Sequence, residues 1–384
     1  MYVALLLSLF TVSGAASAAR SGAASVTFQA DALHDGFVAN SALKLPLKQK
    51  WSVNTGGTLT YPVVADGLVI STSGTTLFAL RESDGKQVWS VQAASGEGNW
   101  VGVAYDSGRI FAQAEYAFNY QPSLFAFKAK TGAPLWSQSL EGQYAFSSPP
   151  VAANGFVYTG GAGTGGTVYA FDEKSGKPEW TAEVENGDNS SPVVDKTALY
   201  VSYACPQTYD FNPATGSQTW YYSGPCEGGG GSTGVLNNGL LFVEDSDVYQ
   251  GQDGLILNAA SGAVAGSFNS PFPPAFGDGS EYLVESGQSG EELVALDPST
   301  QSTIWTAPLS GGASFLVPPF VVNSVVYEES STGSLIAYAA SSGSVLATYT
   351  LATGSNGLPL GIGAGPKILV VPSQSGTIYG FSTK

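Results

Sequence analysis

The feature that most constrains this chain is a motif that returns about every 43 residues. The stretch "FALRESDGKQVWSV", from Phe78, is followed by "FAFKAKTGAPLWSQSL" from Phe125 and "YAFDEKSGKPEWTAEV" from Tyr169. Eight copies align on an equivalent apolar position, at Leu80, Phe127, Phe171, Phe211, Leu257, Leu296, Tyr338 and Phe381. A repeat of this length predicts similar units that bury their apolar surfaces against each other, rather than two or three independent domains.

Glycine and tryptophan hold fixed places in the repeat. A turn follows the aligned position and contains Gly85, Gly132, Gly176, Gly216, Gly262 and Gly343, with Gln301 as the exception. Four residues later stand Trp89, Trp136, Trp180, Trp220 and Trp305, whereas units five and seven have Gly266 and Ala347 there. Trp51 precedes Trp89 by about one repeat and takes the same place. We predict that glycine supplies a positive φ in each turn and that the six tryptophans share one structural position.

A second pair of short apolar runs precedes each copy of the motif. Examples are "YPVVADGLVIST" and "SPPVAANGFVYTG", which turn at Asp66-Gly67 and Asn154-Gly155. Such dipeptides between apolar runs are strong hairpin signals, and they recur at Ser107-Gly108, Asn238-Gly239 and Asp278-Gly279. No long segment shows helical periodicity. The sequence therefore predicts an all-β fold, an eight-bladed β-propeller of four-stranded blades.

The two ends of the repeat region complement each other. The last unit ends with "TIYGFSTK", after its third strand, and the first begins with a lone fourth strand, "LKQKWSV", from Leu47. We predict that this N-terminal strand completes the last blade and closes the ring, which removes an exposed seam. Residues 47–384 then form a single β-propeller domain, and residues 19–46 form a leader that packs across the ring.

Residues 1–18, "MYVALLLSLFTVSGAASA", have the pattern of a secretory signal peptide. An apolar run ends in Ala16-Ser17-Ala18, which fits an A-x-A cleavage site, and the run is shorter than the roughly 20 residues of a membrane span. An uncleaved anchor is the alternative. No other stretch is predicted to cross a membrane, so we expect an exported protein that is periplasmic, attached to the cell surface or secreted.

Charge and cysteine content narrow the classes of partner. The chain has 14 Lys and Arg against 30 Asp and Glu, a formal net charge of -16, which repels nucleic acid and anionic lipid. Cys205 and Cys226 are its two cysteines. In an oxidising compartment we expect them to form a disulfide, which would close a loop of about 20 residues and contribute about 3 kcal/mol.

The tryptophan motif resembles the tryptophan-docking repeat of the quinoprotein-like propellers, with pyrroloquinoline-quinone-type repeats. "AFDEKSGKPEW", Ala170 to Trp180, matches that repeat almost fully, and the opening "FQADALHDGFV" is similar to the leader of secreted members. The resemblance implies that the six tryptophans stack between neighbouring blades, where each N–H reaches a backbone carbonyl. The family contains dehydrogenases that bind pyrroloquinoline quinone and calcium, and an assembly scaffold that binds no cofactor. This chain lacks the vicinal Cys-Cys pair of the former and the anchoring cysteine of the latter.

Other candidate residues have ordinary structural interpretations beside the functional ones. His34, the one histidine, lies in the leader between two aspartates, where packing is favoured over catalysis. "EDSDVYQGQDG", from Glu244, offers four carboxylates for calcium but lacks the spacing of an EF-hand loop. "CEGGGGSTG", from Cys226, lacks the lysine of a phosphate-binding loop. A set of aromatic residues in the first four units suits protein or glycan contacts, or ordinary strands: Trp100, Tyr105, Tyr116, Phe118, Tyr120, Tyr144, Phe146, Tyr221 and Tyr222.

These observations favour an exported, non-catalytic propeller that acts as a binding or assembly scaffold. Its expected partner is an envelope or extracellular protein, and we predict no catalytic residue, no metal site and no cofactor. A small quinoprotein oxidoreductase that binds pyrroloquinoline quinone and calcium is the first alternative. A propeller that binds or cleaves glycans is the second, since acidic pairs for glycoside hydrolysis need not be neighbours in sequence.

Overall fold

The structure is a computed structural model that describes most of the chain from residue 24 onward. The described ranges are 24–94, 97–116, 122–140, 148–161, 166–185, 190–203, 207–224, 233–244, 254–287, 290–309, 313–354 and 361–384. The predicted signal peptide and both cysteines of the predicted disulfide lie outside them. Within these ranges the chain forms strands and turns and no helix.

The described residues form 33 strands in eight sheets. In chain order the strands are β1 (Phe37–Val38), β2 (Leu47–Asn54), β3 (Val63–Ala65), β4 (Leu68–Ser73), β5 (Thr76–Arg81), β6 (Gln87–Gln92), β7 (Glu97–Asp106), β8 (Arg109–Tyr116), β9 (Ser123–Lys128), β10 (Pro134–Ser139), β11 (Val151–Ala153), β12 (Phe156–Gly161), β13 (Thr167–Asp172), β14 (Pro178–Glu183), β15 (Val193–Val194), β16 (Leu199–Tyr203), β17 (Gln207–Phe211), β18 (Gln218–Ser223), β19 (Val235–Asn237), β20 (Leu240–Glu244), β21 (Gly254–Asn258), β22 (Val264–Phe268), β23 (Ala275–Gly277), β24 (Ser280–Gly287), β25 (Gly290–Leu296), β26 (Thr303–Pro308), β27 (Phe320–Val322), β28 (Val325–Ser330), β29 (Ser334–Ala339), β30 (Val345–Thr350), β31 (Gly363–Ala364), β32 (Leu369–Pro372) and β33 (Thr377–Thr383).

Each of the first seven blades contains four consecutive antiparallel strands, from β3–β6 in blade one to β27–β30 in blade seven. In blade seven, β1 of the leader adds a fifth strand, which is parallel to β27. Blade eight combines β31, β32 and β33 with β2 from the start of the chain. The pairing of β2 with β33 runs from Leu47 opposite Thr383 to Asn54 opposite Thr377. The predicted eight-bladed ring and its closure by the N-terminal strand are confirmed.

The apolar core lies between the blades. The three inner strands of each blade are largely buried on both faces, whereas the fourth strand alternates between exposed and half-buried residues, as in β14 and β30. Most clusters of buried side chains contain residues from two neighbouring blades, for example Val294 of blade six with Phe242 of blade five. Because a twisted four-stranded sheet cannot cover both its faces alone, the blades stabilise each other in a closed ring.

The turns take the conformations that their residues predict. Asp66-Gly67, Asn154-Gly155 and the other predicted dipeptides have positive φ at both residues, the geometry of tight type I′ hairpins. In the turn between the third and fourth strands, the recurring glycines have φ between 66° and 71°. Gln301 holds the same place in blade six with φ 55°.

Candidate functional site

The two ends of the ring carry different connections. The end that we call the turn face carries the tight turns between first and second strands and between third and fourth strands, such as those at Gly67 and Gly85. The other end, the loop face, carries the connections between second and third strands and those that lead to the next blade. Any partner that meets the ring end-on contacts one of these two surfaces.

The leader follows the inner strands close to the turn face. Six inner strands donate a backbone N–H to a leader carbonyl from the residue two before the turn, and the pairs are Val64 to Ser25, Tyr105 to Val26, Val194 to Ala32, Leu236 to Leu33, Phe276 to Asp35 and Val321 to Gly36, at 2.7–3.0 Å. Thr27 Oγ1 contacts Pro150 O in blade three, and Ser25 N donates to Ala364 O in blade eight. The leader therefore hydrogen-bonds to all eight blades and covers the inner edges of their sheets, which would otherwise remain unpaired.

His34 is fully buried within the leader. Its Nδ1 lies 2.7 Å from Phe28 O and its Nε2 lies 2.9 Å from Pro192 O of blade four. Burial lowers the pKa of His34, and the two carbonyls offset only part of that shift. A neutral imidazole has one N–H and can donate to only one of the two oxygens. These contacts give His34 a packing role between leader and ring.

The six predicted docking tryptophans each contact the next blade. Their indole N–H groups donate to backbone carbonyls there, with the pairs Trp51 to Glu82, Trp89 to Ala129, Trp136 to Glu173, Trp180 to Pro213, Trp220 to Ala259 and Trp305 to Ala340, at 2.7–3.1 Å. Each indole also covers the turn glycine of that next blade; Cε3 of Trp180 lies 2.6 Å from where a Cβ on Gly216 would stand. These contacts occur on the turn face and leave the loop face to other residues.

Two of the aromatic residues that suggested a binding surface make contacts within the ring. Trp100 is buried between blades one and two, and its Nε1 donates to Thr75 O at 3.0 Å. Tyr221 stacks on Tyr209 with ring centroids 4.5 Å apart. The side chains of Tyr116, Phe118, Tyr120, Tyr144 and Phe146 lie outside the described residues, as do most residues of the acidic stretch after Glu244 and of the glycine-rich stretch from Cys226.

The cationic side chains are confined to the turn face. In the described ranges each Lys and Arg lies near that face, in a turn, in the adjoining part of a strand or, for Lys44, in the leader. All are exposed apart from Arg109. Arg109 Nη1 forms an ion pair with Glu173 Oε1 at 2.9 Å, which links blades two and three. The segments between the described ranges contain no Lys or Arg. Charged side chains described on the loop face are therefore all carboxylates.

The negative charge is also uneven around the ring. Between Lys196 and Lys367 the sequence contains no Lys, Arg or His, and it contains 14 Asp and Glu residues. This stretch includes all of blades five, six and seven, which we call the anionic arc (residues 233–354). Most of the formal charge of -16 thus belongs to one side of the ring. The total charge alone does not show this run, whereas the spacing of the basic residues along the sequence does.

Blade six carries two acidic residues directly opposite each other near the loop face. Glu285 of β24 pairs with Glu292 of β25 in the strand register, and both are partly buried. Burial raises the pKa of Glu285, and the neighbouring Glu292 raises it further. Glu281, deeper on the same side of β24, is fully buried and accepts a hydrogen bond from Gln301 Nε2 at 2.9 Å. Burial raises its pKa to about 7.

Blade seven carries two adjacent buried glutamates on β28. Glu328 is fully buried, and neither of its carboxyl oxygens has a hydrogen-bond partner among the described residues. Burial raises the pKa of Glu328 well above its usual value, and Glu291 of blade six adds to the shift. Glu329 points to the other side of the strand, where burial raises its pKa to about 8. Glu291 accepts a hydrogen bond from Phe315 N at 2.6 Å through Oε2.

The described residues include no group of three His, Cys, Asp or Glu side chains placed to hold a metal ion. The carboxyls of the arc are instead spread over both sides of blade six and both sides of β28. In the part of the chain that the structure covers, no helix is long and apolar enough to span a membrane.

Comparison with known sequences relates the chain to one family. The sequence model of the family described as outer membrane protein assembly factor BamB matches residues 121–273 and 256–384. The protein of that name from Moranella endobia (strain PCIT) is 27% identical over 211 residues, which are 52% of this chain and 52% of that protein. The chain thus spans about half the length of this relative.

Comparison of structures relates the fold to two kinds of protein. A quinohemoprotein alcohol dehydrogenase from Comamonas testosteroni superposes with a TM-score of 0.74 at 16% identity, covering 94% of this chain and 81% of that one. BamB from Moraxella catarrhalis superposes with a TM-score of 0.65 at 18% identity, covering 88% of this chain and 99% of that one. At these identities the comparisons establish the shared propeller fold.

Proposed function

This chain belongs to the family of the outer membrane protein assembly factor BamB, and from that membership we propose that it is an exported, non-catalytic propeller that binds a protein of the cell envelope as an assembly scaffold. The family match covers residues 121–384, which include six of the eight blades almost completely. The observation that carries the proposal is the leader, which hydrogen-bonds to every blade at the turn face. The ring is thereby held as one rigid platform whose loop face is available to a partner.

A rigid platform suits a scaffold because little conformational entropy is lost when a partner docks on it. The strands end on the loop face with exposed polar residues such as Asn99, Ser286 and Thr332. Polar rims of this kind surround most protein interfaces. The binding residues then belong to the loop face, whereas the tryptophan contacts on the turn face maintain the ring.

Site-specific photocrosslinking in cells that make the protein tests this proposal. A photoreactive amino acid is placed at Asn99, Ser286 or Thr332 on the loop face, and at exposed Lys130 or Ser341 on the turn face as a control. We expect the loop-face positions to crosslink the same envelope protein and the turn-face positions to crosslink little of it. Identical products from both faces, or none from either, would argue against a scaffold that uses the loop face.

The second candidate function is a small quinoprotein oxidoreductase, which the structural relation to quinohemoprotein alcohol dehydrogenase favours. Pyrroloquinoline quinone carries carboxylates, so a site for it requires buried or convergent cationic groups. The described Lys and Arg side chains are exposed on the turn face, and the half-buried Arg109 is paired with Glu173. These residues do not fit the quinone, and the scaffold remains our proposal.

A further inference from the structure

We propose that the anionic arc binds a cationic segment of the partner protein, through Glu285, Glu291 and Glu292 on the loop face and the buried Glu328 beside them. The inference rests on the proposed scaffold function and adds the chemistry of the partner. The segment is an extended or helical stretch of polypeptide rich in Lys and Arg.

The negative charge of the chain is concentrated in the arc. The arc belongs to a stretch of sequence with 14 acidic residues and no Lys, Arg or His, so its carboxylates repel each other without internal compensation. Solubility alone would be served by acidic residues anywhere on the surface. Their concentration in one part of the ring creates a local negative potential that attracts a cationic partner and accelerates its association.

Blade six places two glutamates opposite each other on neighbouring strands. Like charges directly opposite each other on neighbouring strands destabilise a sheet. Glu285 and Glu292 form such a pair, and no described Lys or Arg contacts either of them. A guanidinium or ammonium group between the two carboxylates would convert this repulsion into two charge-assisted hydrogen bonds.

Blade seven contributes a buried carboxyl that lacks a described hydrogen-bond partner. A buried polar group without a hydrogen-bond partner is costly, and such groups are rare in folded proteins unless something satisfies them. Among the described residues Glu328 is in this condition. Its pKa is raised further by Glu291 of blade six, the neighbouring blade across the seam, which is the packed contact between two blades. The orphaned carboxyl therefore points to a cationic donor that the described residues do not supply.

The arrangement of the carboxyls favours a polypeptide over a metal ion. Along β24 and β25, Glu285 and Glu292 lie on the side of Leu283 and Val294, which pack against blade five. Glu291 lies on the side of Leu293, which packs against blade seven. Carboxyls divided between two seams cannot converge on one ion, but successive basic side chains of one segment laid across blade six can reach both seams.

A binding experiment with a fluorescent oligoarginine peptide and the full mature chain tests the proposal. The double variant Glu285→Gln/Glu292→Gln removes two charges from the arc, and Glu179→Gln/Glu183→Gln removes two exposed charges from blade three as a matched control. We expect the arc variant to bind about tenfold more weakly and the control to bind nearly as the unmodified protein does. Equal losses in both would mean that the peptide senses only net charge, and the proposal would be wrong.

Glu328→Gln tests the buried carboxyl separately. Because burial raises the pKa of this carboxyl well above its usual value, and a cation beside it favours the ionised form, we expect its engagement by a cation to release a proton. Calorimetry of peptide binding in two buffers of different ionisation enthalpy should detect that release in the unmodified protein and not in Glu328→Gln. An identical proton count in the two proteins would remove Glu328 from the site. The variant retains the side-chain volume, and a thermal melt checks that it folds.

Two further outcomes separate this inference from its alternatives and from the scaffold itself. If calcium chloride, at constant ionic strength, displaces the peptide and binds at micromolar concentration, the arc is a metal site and the proposal fails. If the loop-face crosslinks to an envelope protein persist in Glu285→Gln/Glu292→Gln, the scaffold function stands and the arc is not its contact surface. If the arc binds the peptide but no envelope protein is crosslinked, the scaffold function fails alone.

Discussion

A Cβ atom on Gly216 would lie 2.6 Å from Cε3 of Trp180, the indole that blade three presents to blade four. The same contact recurs at every turn glycine that receives a tryptophan, from Gly85 under Trp51 to Gly343 under Trp305. Glycine is therefore needed here for two reasons, the positive φ and the space that the indole occupies. The second requirement does not apply to Gln301, because the preceding blade has Gly266 in the place of a tryptophan.

Gly216→Ala should destabilise the ring more than a substitution at a glycine with similar backbone but open space. Gly239 has φ 79° and no atom near the position of a Cβ, so Gly239→Ala reports the cost of the left-handed conformation alone, about 1–2 kcal/mol. We expect Gly216→Ala to cost about 1–3 kcal/mol more, since the indole of Trp180 must move. Chemical denaturation of the two variants measures the difference. Equal losses would mean that the indole adjusts freely.

Arg109→Ala should destabilise the protein mainly at alkaline pH. Burial raises the pKa of Glu173 to about 7 although Arg109 lies beside it, so the folded form binds this proton more tightly than the unfolded form does. The contribution of Glu173 to the free energy of unfolding is fully present below about pH 4.5 and is lost as the pH rises through 7. Removal of Arg109 leaves the carboxylate unpaired, and we expect a loss of about 1–3 kcal/mol at pH 8 and little loss at pH 5.

The double variant Arg109→Ala/Glu173→Gln is the control for this pair. Without an ionisable group at residue 173, the loss caused by Arg109→Ala should no longer depend on pH. Denaturation midpoints are measured at pH 5 and pH 8 for the unmodified protein, Arg109→Ala, Glu173→Gln and the double variant. Together these four proteins form a double-mutant cycle at each pH. A pH dependence that persists in the double variant would assign the effect to another group.

The whole protein should be most stable in mildly acidic solution. Burial raises the pKa of several glutamates, to about 7 for Glu281 and about 8 for Glu329, so their stabilising contribution is lost as the pH rises from about 4.5 to 8. At the acidic end, hydrogen bonds from Ser299 and Thr300 lower the pKa of Asp297 to about 2, so its contribution is lost as the pH falls through 2. We expect the thermal midpoint to be highest near pH 4–5.

Glu329→Gln tests the alkaline side of this profile. The variant should melt close to the unmodified protein at pH 5 and at a higher temperature at pH 8.5, because the amide has no charge to bury. The exposed Glu179→Gln should leave the profile unchanged. If both variants follow the same curve as the unmodified protein, Glu329 does not contribute to the pH dependence.

Pyrroloquinoline quinone should not bind a chain of residues 19–384 saturably. Calorimetric titration with the quinone and calcium, followed by an absorption spectrum of the washed protein, measures this directly. We expect no saturable heat and no quinone band, because the described cations are exposed on the turn face. Saturable micromolar binding would favour the oxidoreductase over the scaffold.

The blade count and ring closure were predictable because they depend on local patterns. Turn dipeptides such as Asp66-Gly67 and the repeated Gly-x-x-x-Trp spacing fix short hairpins within about 15 residues of chain. The sequence also explains why Gln301 can replace the turn glycine, because the preceding unit has Gly266 in the place of the tryptophan that would pack there. The negative charge of the arc was equally predictable from the sequence, because the run without Lys or Arg is apparent once charges are counted along the chain.

The sequence by itself therefore determined the blades, their number and the strand that closes them. The hairpins follow from contacts between near neighbours, and the count and closure follow from a repeat that begins with a fourth strand and ends after a third. Only the tertiary structure decided that residues 25–42 contact every blade in turn. It also decided that Glu328 and Glu329, adjacent in an ordinary-looking strand, are buried on opposite sides without ionic partners among the described residues. Whether a side chain is buried between two blades depends on residues about 40 positions away in the chain. The repeat does not specify which polar residues are enclosed there.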